Sequence, residues 1–489
     1  MEECVGKNTL YLTAASIGQK ILAFVYFLFL ARVLGTEQTG EYFLALSITT
    51  IFSTITDFGV TSVVVRDVAK YPEKATSLIR HAFWLKIPFM FLGVFGSMMT
   101  AWMLGYEPII LVLVAFASLV MLADAVSLLF YGILRGHHIL KYESLGIFVG
   151  QCLTLVIGCS VLAIRPSVTH LIAALLFGSL FNALFSLSRV ISIHGAKILC
   201  PNIQMADLRK LFLATLPFAF AGIFVKTYSY IDSILISKMI GTEAVGIYAV
   251  AYKFTYAFQF LPMALVAALY PGMSALVGRD TNRLRRLFDD SIWYVTALSA
   301  PIVFGLFAIA PDAIALAGDE YAGAVPVLQI LIFVLIPIFL DFPVGSLLNA
   351  ADRQSTKTTI MGLTVLLNVF LNVLLIPRFG IMGAGIAALA SFTFLSIGGL
   401  YFVPRIIKGY SYVTLGRIIS PILLSGLVMG VSAFLLRPII GFVLTIPVAA
   451  VIYIAMLVIT RSLRVDQLRV ALDLIRRKPS YAENTSIHD

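Results

Sequence analysis

Apolar residues in this chain come in long runs, and polar residues mark the gaps between them. Fourteen runs stand out, at roughly 10–34, 41–65, 82–105, 108–134, 144–164, 168–193, 211–237, 244–276, 291–317, 324–350, 358–376, 381–404, 412–436 and 439–460. A helix that crosses a bilayer needs about 20 predominantly apolar residues. Strands of a membrane barrel would instead show segments of about ten residues with alternating polarity. Lipid offers the backbone no hydrogen-bonding partner, so uninterrupted runs of this length predict helices. The expected fold class is therefore all-α, a polytopic membrane protein with 14 transmembrane helices. The first run lacks a small-residue cleavage site and reads like the others, so it is expected to be a span and not a removable signal.

Charge follows the same segmentation. The gaps after even-numbered runs, with the two tails, hold 27 of the 35 Lys and Arg residues, among them Arg66, Lys70, Lys74, Arg80 and Lys86. The gaps after odd-numbered runs hold five: Arg32, Arg165, Lys238, Arg378 and Arg437. Positive residues stay on the cytoplasmic side, so both termini are expected in the cytoplasm and the protein in the cell membrane. With 60% hydrophobic and 12% charged residues over 489 positions, the chain has more apolar surface than a single soluble core can absorb. The net charge of +10 then reflects topology and contact with anionic lipid. No basic groove with interleaved aromatics appears, and nucleic acid is not an expected partner. Cys4, Cys152, Cys159 and Cys200 form neither a disulfide framework nor a metal-ligand spacing. No Gly-x-x-x-x-Gly-Lys-Ser/Thr phrase exists to cradle a nucleotide, and no cofactor is expected.

One phrase occurs twice. "RVLGTEQTGEYFLAL" begins at Arg32 and "KMIGTEAVGIYAVAY" at Lys238, an offset of 206 residues. At the same offset Lys20 lies over Lys226, and at 217 Asp124 lies over Asp341. Six spans separate the copies, so both enter the membrane from the same side, and the implied symmetry is a pseudo-twofold along the membrane normal. The expected organisation is an N-terminal lobe at 1–207, a second lobe at 208–408, two appended spans at 409–460 and a basic amphipathic tail at 461–489. Transporters built from parallel repeats place their substrate between the lobes. The Gly-Thr-Glu phrase itself suits a tight helix–helix turn and reads as structural.

Few ionisable residues fall well inside the runs: Lys20, Asp57, Asp124, Lys226, Asp232, Lys253 and Asp341. Each costs roughly 2.5–3.5 kcal/mol or more at a helix centre, so each needs a wet cavity or a partner. Lys20 and Lys226 occupy matched places and are expected on opposite walls of one cavity, with Lys253 as a third cation; such a cluster suits an anion such as a diphosphate. The bland alternative is that each lysine snorkels or pairs with an aspartate. Asp232 is counted among the cavity residues, although six residues separate it from Lys226 and the two do not share a helix face. Asp57, Asp124 and Asp341 read first as helix-pairing residues, with ion coupling as the other candidate role. Tyr248, Tyr252 and Tyr256 recur at i, i+4 and i+8 on one face; Tyr252 is the candidate for stacking on a sugar ring, the plainer reading being an interfacial belt. Asn368 and Asn372 share a face and suit helix-to-helix hydrogen bonding. In the tail, Val465, Leu468, Leu472 and Ile475 form the apolar stripe of a helix lying on the membrane surface.

The phrases "FLARVLGTEQTGEYFLAL", "TDFGVTSVVVRDVAKYPEKA", "YGILRGHHILKYE", "YSYIDSILISKMIGTEAVGIYAVAYKF" and "LNAADRQSTKT" resemble those of polysaccharide transporters in the multidrug/oligosaccharidyl-lipid/polysaccharide exporter superfamily. The resemblance covers nearly the whole chain. It implies a fourteen-helix, two-lobed flippase that carries lipid-linked oligosaccharide of the polyprenyl-diphosphate type to the outer leaflet, its cavity cations meeting the pyrophosphate. Membrane lipids, and H⁺ or Na⁺ as coupling ion, complete the expected partners. Two other classes compete. A cation-coupled drug or metabolite antiporter of the same superfamily would have acidic cavity residues in place of lysines. A membrane polymerase or glycosyltransferase would need a sizeable outer loop carrying catalytic residues, and none of the outer loops here is long.

Overall fold

The computed structural model describes residues 2–201 and 204–463, so all but the first three positions of the predicted amphipathic tail lie outside the described residues. The first part of the chain forms Glu2–Asp57 (α1), Val60–Lys70 (α2), Ala75–Met103 (α3), Pro108–Gly136 (α4), Leu140–Ile164 (α5) and Val168–His194 (α6). Then follow Met205–Met239 (α7), Thr242–Tyr256 (α8), Phe260–Leu276 (α9), Thr281–Ala308 (α10), Ala310–Ala315 (α11), Ala324–Leu331 (α12) and Leu335–Ala350 (α13). Gln354–Phe379 (α14), Ile381–Leu400 (α15), Val403–Ile406 (α16) and Tyr412–Ile459 (α17) complete the order, and the described residues contain no strand. Eleven of the described helical segments are long and apolar enough to cross a membrane. The molecule is an all-α polytopic membrane protein.

Interruptions carry as much information as the helices. Gly35, at φ 80° and ψ 177°, breaks α1 between its first and second apolar runs, and Gly441, at φ 74° and ψ 158°, divides α17 in the same way. Gly241, the repeat partner of Gly35, precedes α8 with φ 136° and ψ 174°. A side chain at such positive φ is strained, which is why glycine stands at each of these bends. Two further breaks are not single-glycine turns. Phe58 and Gly59 take φ values of 44° and 72° between α1 and α2, and residues 257–259 interrupt the helix between α8 and α9. Prolines inside α3, α7, α9, α10, α13, α14 and α17 are of the kind that membrane helices tolerate, because neighbouring helices and local adjustments satisfy the freed carbonyls.

Packing divides the molecule into a shared end and a forked end. One large core joins residues from both repeats, from Tyr26 and Leu44 through Leu171 to Tyr248, Phe339 and Leu395. At the other end, where the basic gaps lie, the core splits. Val60–Val68, Ile79, Leu134, Val190 and Leu211 form one cluster, and Met273, Phe288, Leu347 and Ile407 form another. A fourth cluster fastens α17 to α10 through Ala300, Ile422, Met429 and Tyr453. The two copies of the repeated phrase, by contrast, lie within the one shared core.

Candidate functional site

The closure at the hairpin end is made by the repeated phrase itself. A Cβ on Gly40 would lie 1.9 Å from the carbonyl oxygen of Thr242, and a Cβ on Gly246 would lie 1.9 Å from that of Thr36. The contact is reciprocal, as a pseudo-twofold requires, and only glycine allows the two backbones to come this close. Thr36 donates to Glu243 at 3.3 Å across the same junction. Tyr321, in the connection before α12, donates to the carbonyl of Ala31 and to Thr39, each at 3.0 Å. Burial pushes its phenol up to about 12, so the hydroxyl stays a donor at any physiological pH. Nearby, Tyr106 and Ser237 share a hydrogen bond at 2.6 Å, and Lys238 lies 3.8 Å from the Tyr106 ring centroid. The phrase expected to make a helix turn does so, and it also forms the contact between its own two copies.

Beneath this seal the three lysines come together. Lys226 and Lys253 both lie within the electrostatic reach of Lys20. Lys253 stands 5.2 Å from the ring centroid of Phe27 and 5.6 Å from that of Phe43, and Lys226 stands 5.7 Å from that of Tyr230. None of the three forms an ion pair among the described residues. Aromatic faces can hold an ammonium at about 2 kcal/mol or more when desolvated, and they leave its charge uncompensated. The sequence therefore places three cations on α1, α7 and α8, and the fold turns them into one cluster.

Lys226 and Gln19 also stand at the edge of a cavity of ≈ 540 Å³ within the first repeat, bounded by the second half of α1 and by α4, α5 and α6. Asp57 and Asp124 line it together with Tyr131, Arg135, Glu143 and Asn182. Ser179 lines the cavity as well. Arg135 and Glu143 form an ion pair at 3.0 Å, and Tyr131 donates to Asn182 at 2.8 Å.

The other aspartates are engaged in pairing. Lys86 donates to Asp57 at 2.6 Å and is only 1% exposed, and Thr61 also donates to this carboxylate. Lys357 pairs with Asp341 and is itself buried. Lys86, grouped by sequence with the loop positives, belongs to the interior. The available signal was its place four residues inside an apolar run, opposite an aspartate that needed a partner.

Two further candidate residues are buried. Asp232 is 2% exposed and accepts from Tyr248 at 2.9 Å and from Asn372 at 2.8 Å, with Asn368 beside them. It is buried between α7, α8 and α14. Tyr252 is 6% exposed, stacked on Tyr256 with ring centroids 4.1 Å apart and tilted against Tyr230 and Phe43. The tyrosine face was legible from the spacing. It turns inward because Tyr230, Asp232 and Phe392 give it a polar and aromatic bed, so in this conformation Tyr252 presents no face to a sugar. Among the described residues no group of three or more His, Cys, Asp or Glu side chains could hold a metal ion. The oxygen-rich cluster of Asp232, Asn368 and Asn372 could hold a monovalent cation; there the amide oxygen of Asn372 accepts no hydrogen bond among the described residues.

Related halves meet through the reciprocal contact of their repeated hairpins, with Lys20 exposed and Lys226 and Lys253 half-buried beneath it. The chain belongs to the polysaccharide biosynthesis protein family, whose model matches residues 5–277, and a MatE model matches residues 217–374. It is thus a member of the multidrug/oligosaccharidyl-lipid/polysaccharide exporter superfamily. A probable flippase AglR of Haloferax volcanii is 33% identical over 188 residues, covering 37% of this chain and 39% of that protein's own length. A probable low-salt glycan biosynthesis flippase, Agl15, of the same organism is 22% identical over 87% of this chain and 89% of its own length. A lipid II flippase MurJ structure, in an inward closed conformation, superposes with a TM-score of 0.74 at 15% identity, over 96% of this chain and all of the other.

Proposed function

We propose that this protein is a flippase, translocating a lipid-linked oligosaccharide from the cytoplasmic to the outer leaflet. The carrying observation is the cluster of Lys20, Lys226 and Lys253 without ion-pair partners, beneath a seal at the hairpin end; a cleft between the lobes, opening at the basic end, is part of the proposal. On the positive-inside reading that basic end is cytoplasmic, both termini lie there, and the membrane is the cell membrane. Fourteen spans follow from dividing α1 and α17 at Gly35 and Gly441 and joining α8 to α9, with lobes at 1–207 and 208–408. The headgroup, of polyprenyl-diphosphate type, enters the cleft with its phosphates against the lysines while the apolar tail stays in lipid. Rocking of the lobes then exchanges the open side. The chain's chemistry is binding and release, with no bond made or broken.

Direction requires an energy source. H⁺ or Na⁺ is proposed at Asp124, since Asp57 and Asp341 already have lysine partners, or at the buried Asp232 cluster. The MatE match favours a second reading, a cation-coupled antiporter, for which Asp124 would be the coupling group.

The test is complementation of a deletion strain with wild type, Lys20→Ala/Lys226→Ala or Lys20→Arg/Lys226→Arg, scoring the leaflet that holds the lipid-linked glycan. Losing two charge-assisted contacts at about 1.5–3 kcal/mol each should lower flipping by at least about 100-fold in the alanine pair, with recovery in the arginine pair. Unchanged leaflet distribution on deletion would overturn the flippase reading, and efflux assays would then test the antiporter.

A further inference from the structure

A second cavity, ≈ 480 Å³, lies at the basic end between α10 and α17. Arg286 from the first turns of α10, Arg417 from the first turns of α17 and Arg461 just beyond the end of α17 all line it. None of these guanidiniums makes an ion pair or side-chain hydrogen bond among the described residues. Asp289 and Asp290 line it too, and both have partners, Asp289 accepting from Tyr410 at 2.8 Å. Arg461 is held in a left-handed conformation, φ 54°, rare for a residue with a side chain. The bonds around it fix that geometry: Trp293 donates its indole N–H to the carbonyl of Ser462 at 2.8 Å, and the Thr460 and Ser462 hydroxyls lie 3.0 Å apart.

We propose that this cavity binds the phosphate of an anionic phospholipid headgroup in the leaflet at the basic end. Guanidiniums are the side chains best matched to phosphate oxygens, and basic pockets between membrane helices are where such headgroups dock. A soluble phosphate ester shares this chemistry. Two observations favour the lipid. Trp293 lines the pocket, and tryptophan prefers the depth of the headgroups. The wall formed by Ile418 and Pro421 continues along α17 into exposed Leu424, Leu427 and Val431, which would carry acyl chains. The cavity is separate from the lysine cluster, and the inference goes beyond the proposed transport cycle, assigning a lipid that anchors the two appended spans to α10.

Native mass spectrometry of the full chain in detergent, titrated with phosphatidylglycerol, phosphatidylcholine or inorganic phosphate, tests it. At about 1 kcal/mol per basic residue, or about five-fold in affinity, Arg286→Gln/Arg417→Gln/Arg461→Gln should bind phosphatidylglycerol on the order of 100-fold more weakly. Arg286→Lys/Arg417→Lys/Arg461→Lys keeps the charge and should retain most of the binding, which separates loss of the site from loss of the fold. Phosphatidylcholine should bind wild type and variants alike. Equal phosphatidylglycerol retention by wild type and the glutamine variant would overturn the proposal. So would arginine-dependent binding of inorganic phosphate without any of phosphatidylglycerol, since the ligand would then be a soluble phosphate.

Discussion

The pair Asp57 and Lys86 shows how a charge can be hidden in an apolar run at little net cost. Their contact at 2.6 Å, with Thr61 as a second donor to the same carboxylate, joins α1 to α3 directly beside the Phe58–Gly59 break. Removing one partner leaves an unmatched charge where water is scarce, a loss of roughly 3–5 kcal/mol in buried pairs, whereas removing both with side chains of similar shape is near neutral. Asp57→Asn and Lys86→Met should each lower the detergent thermal midpoint well below that of the Asp57→Asn/Lys86→Met double variant. Additive losses in the double variant would show that the two side chains act separately. The sequence revealed Asp57 as a residue in need of a partner. It did not reveal which of the nearby basic residues answers, because Lys86 lies 29 positions away and is brought near by a turn.

At the scale of the element, α1 and α8 carry the part of the fold most legible in sequence. A repeat at constant offset needs no knowledge of packing, so the matched hairpins and the matched Lys20 and Lys226 could be read directly. Their destination could not. Helical spacing put Tyr248, Tyr252 and Tyr256 on one face, but periodicity does not say which face turns inward, and that is decided by Asp232 and Phe392 on neighbouring helices. Nor does spacing tell a turn glycine from one that lets two backbones touch. Gly35 and Gly241 serve the turn, while Gly40 and Gly246 serve the contact. Gly40→Ala would set a methyl group 1.9 Å from the Thr242 carbonyl oxygen, so the helices must part. Overpacking of this kind costs typically 1–3 kcal/mol, enough to shift a two-state population by about 5–150-fold. Spin labels on exposed Gln38 and Ile240 should report a longer separation in Gly40→Ala than in wild type. An unchanged distance distribution would remove this contact from the list of elements that hold the end closed.

Across the whole molecule, one apolar core is shared at the hairpin end and separate clusters stand at the basic end. The hairpin end is held by the shared apolar core together with closer contacts: two glycines, the Thr36–Glu243 hydrogen bond and the Tyr321 donor. The polar contacts are individually weak, whereas the apolar core beneath them joins the two halves directly. The basic end, by contrast, is bridged on one flank by the stacked rings of Phe58, Phe89 and Phe212 and by Gly59 against Phe218. Here the start of α7 meets the first repeat. If the halves rock, the hairpin seal must open while this flank closes further, and a covalent bridge across the seal must stop transport without disturbing either half. Thr36→Cys/Glu243→Cys joined by a short bifunctional thiosulfonate should abolish headgroup flipping in proteoliposomes, with activity restored by reductant. Each single cysteine should remain active under the same reagent. Persistent flipping by the bridged protein would mean that the substrate crosses without opening this end, and the cleft would then have to be a path along the lipid-facing side of the lobes.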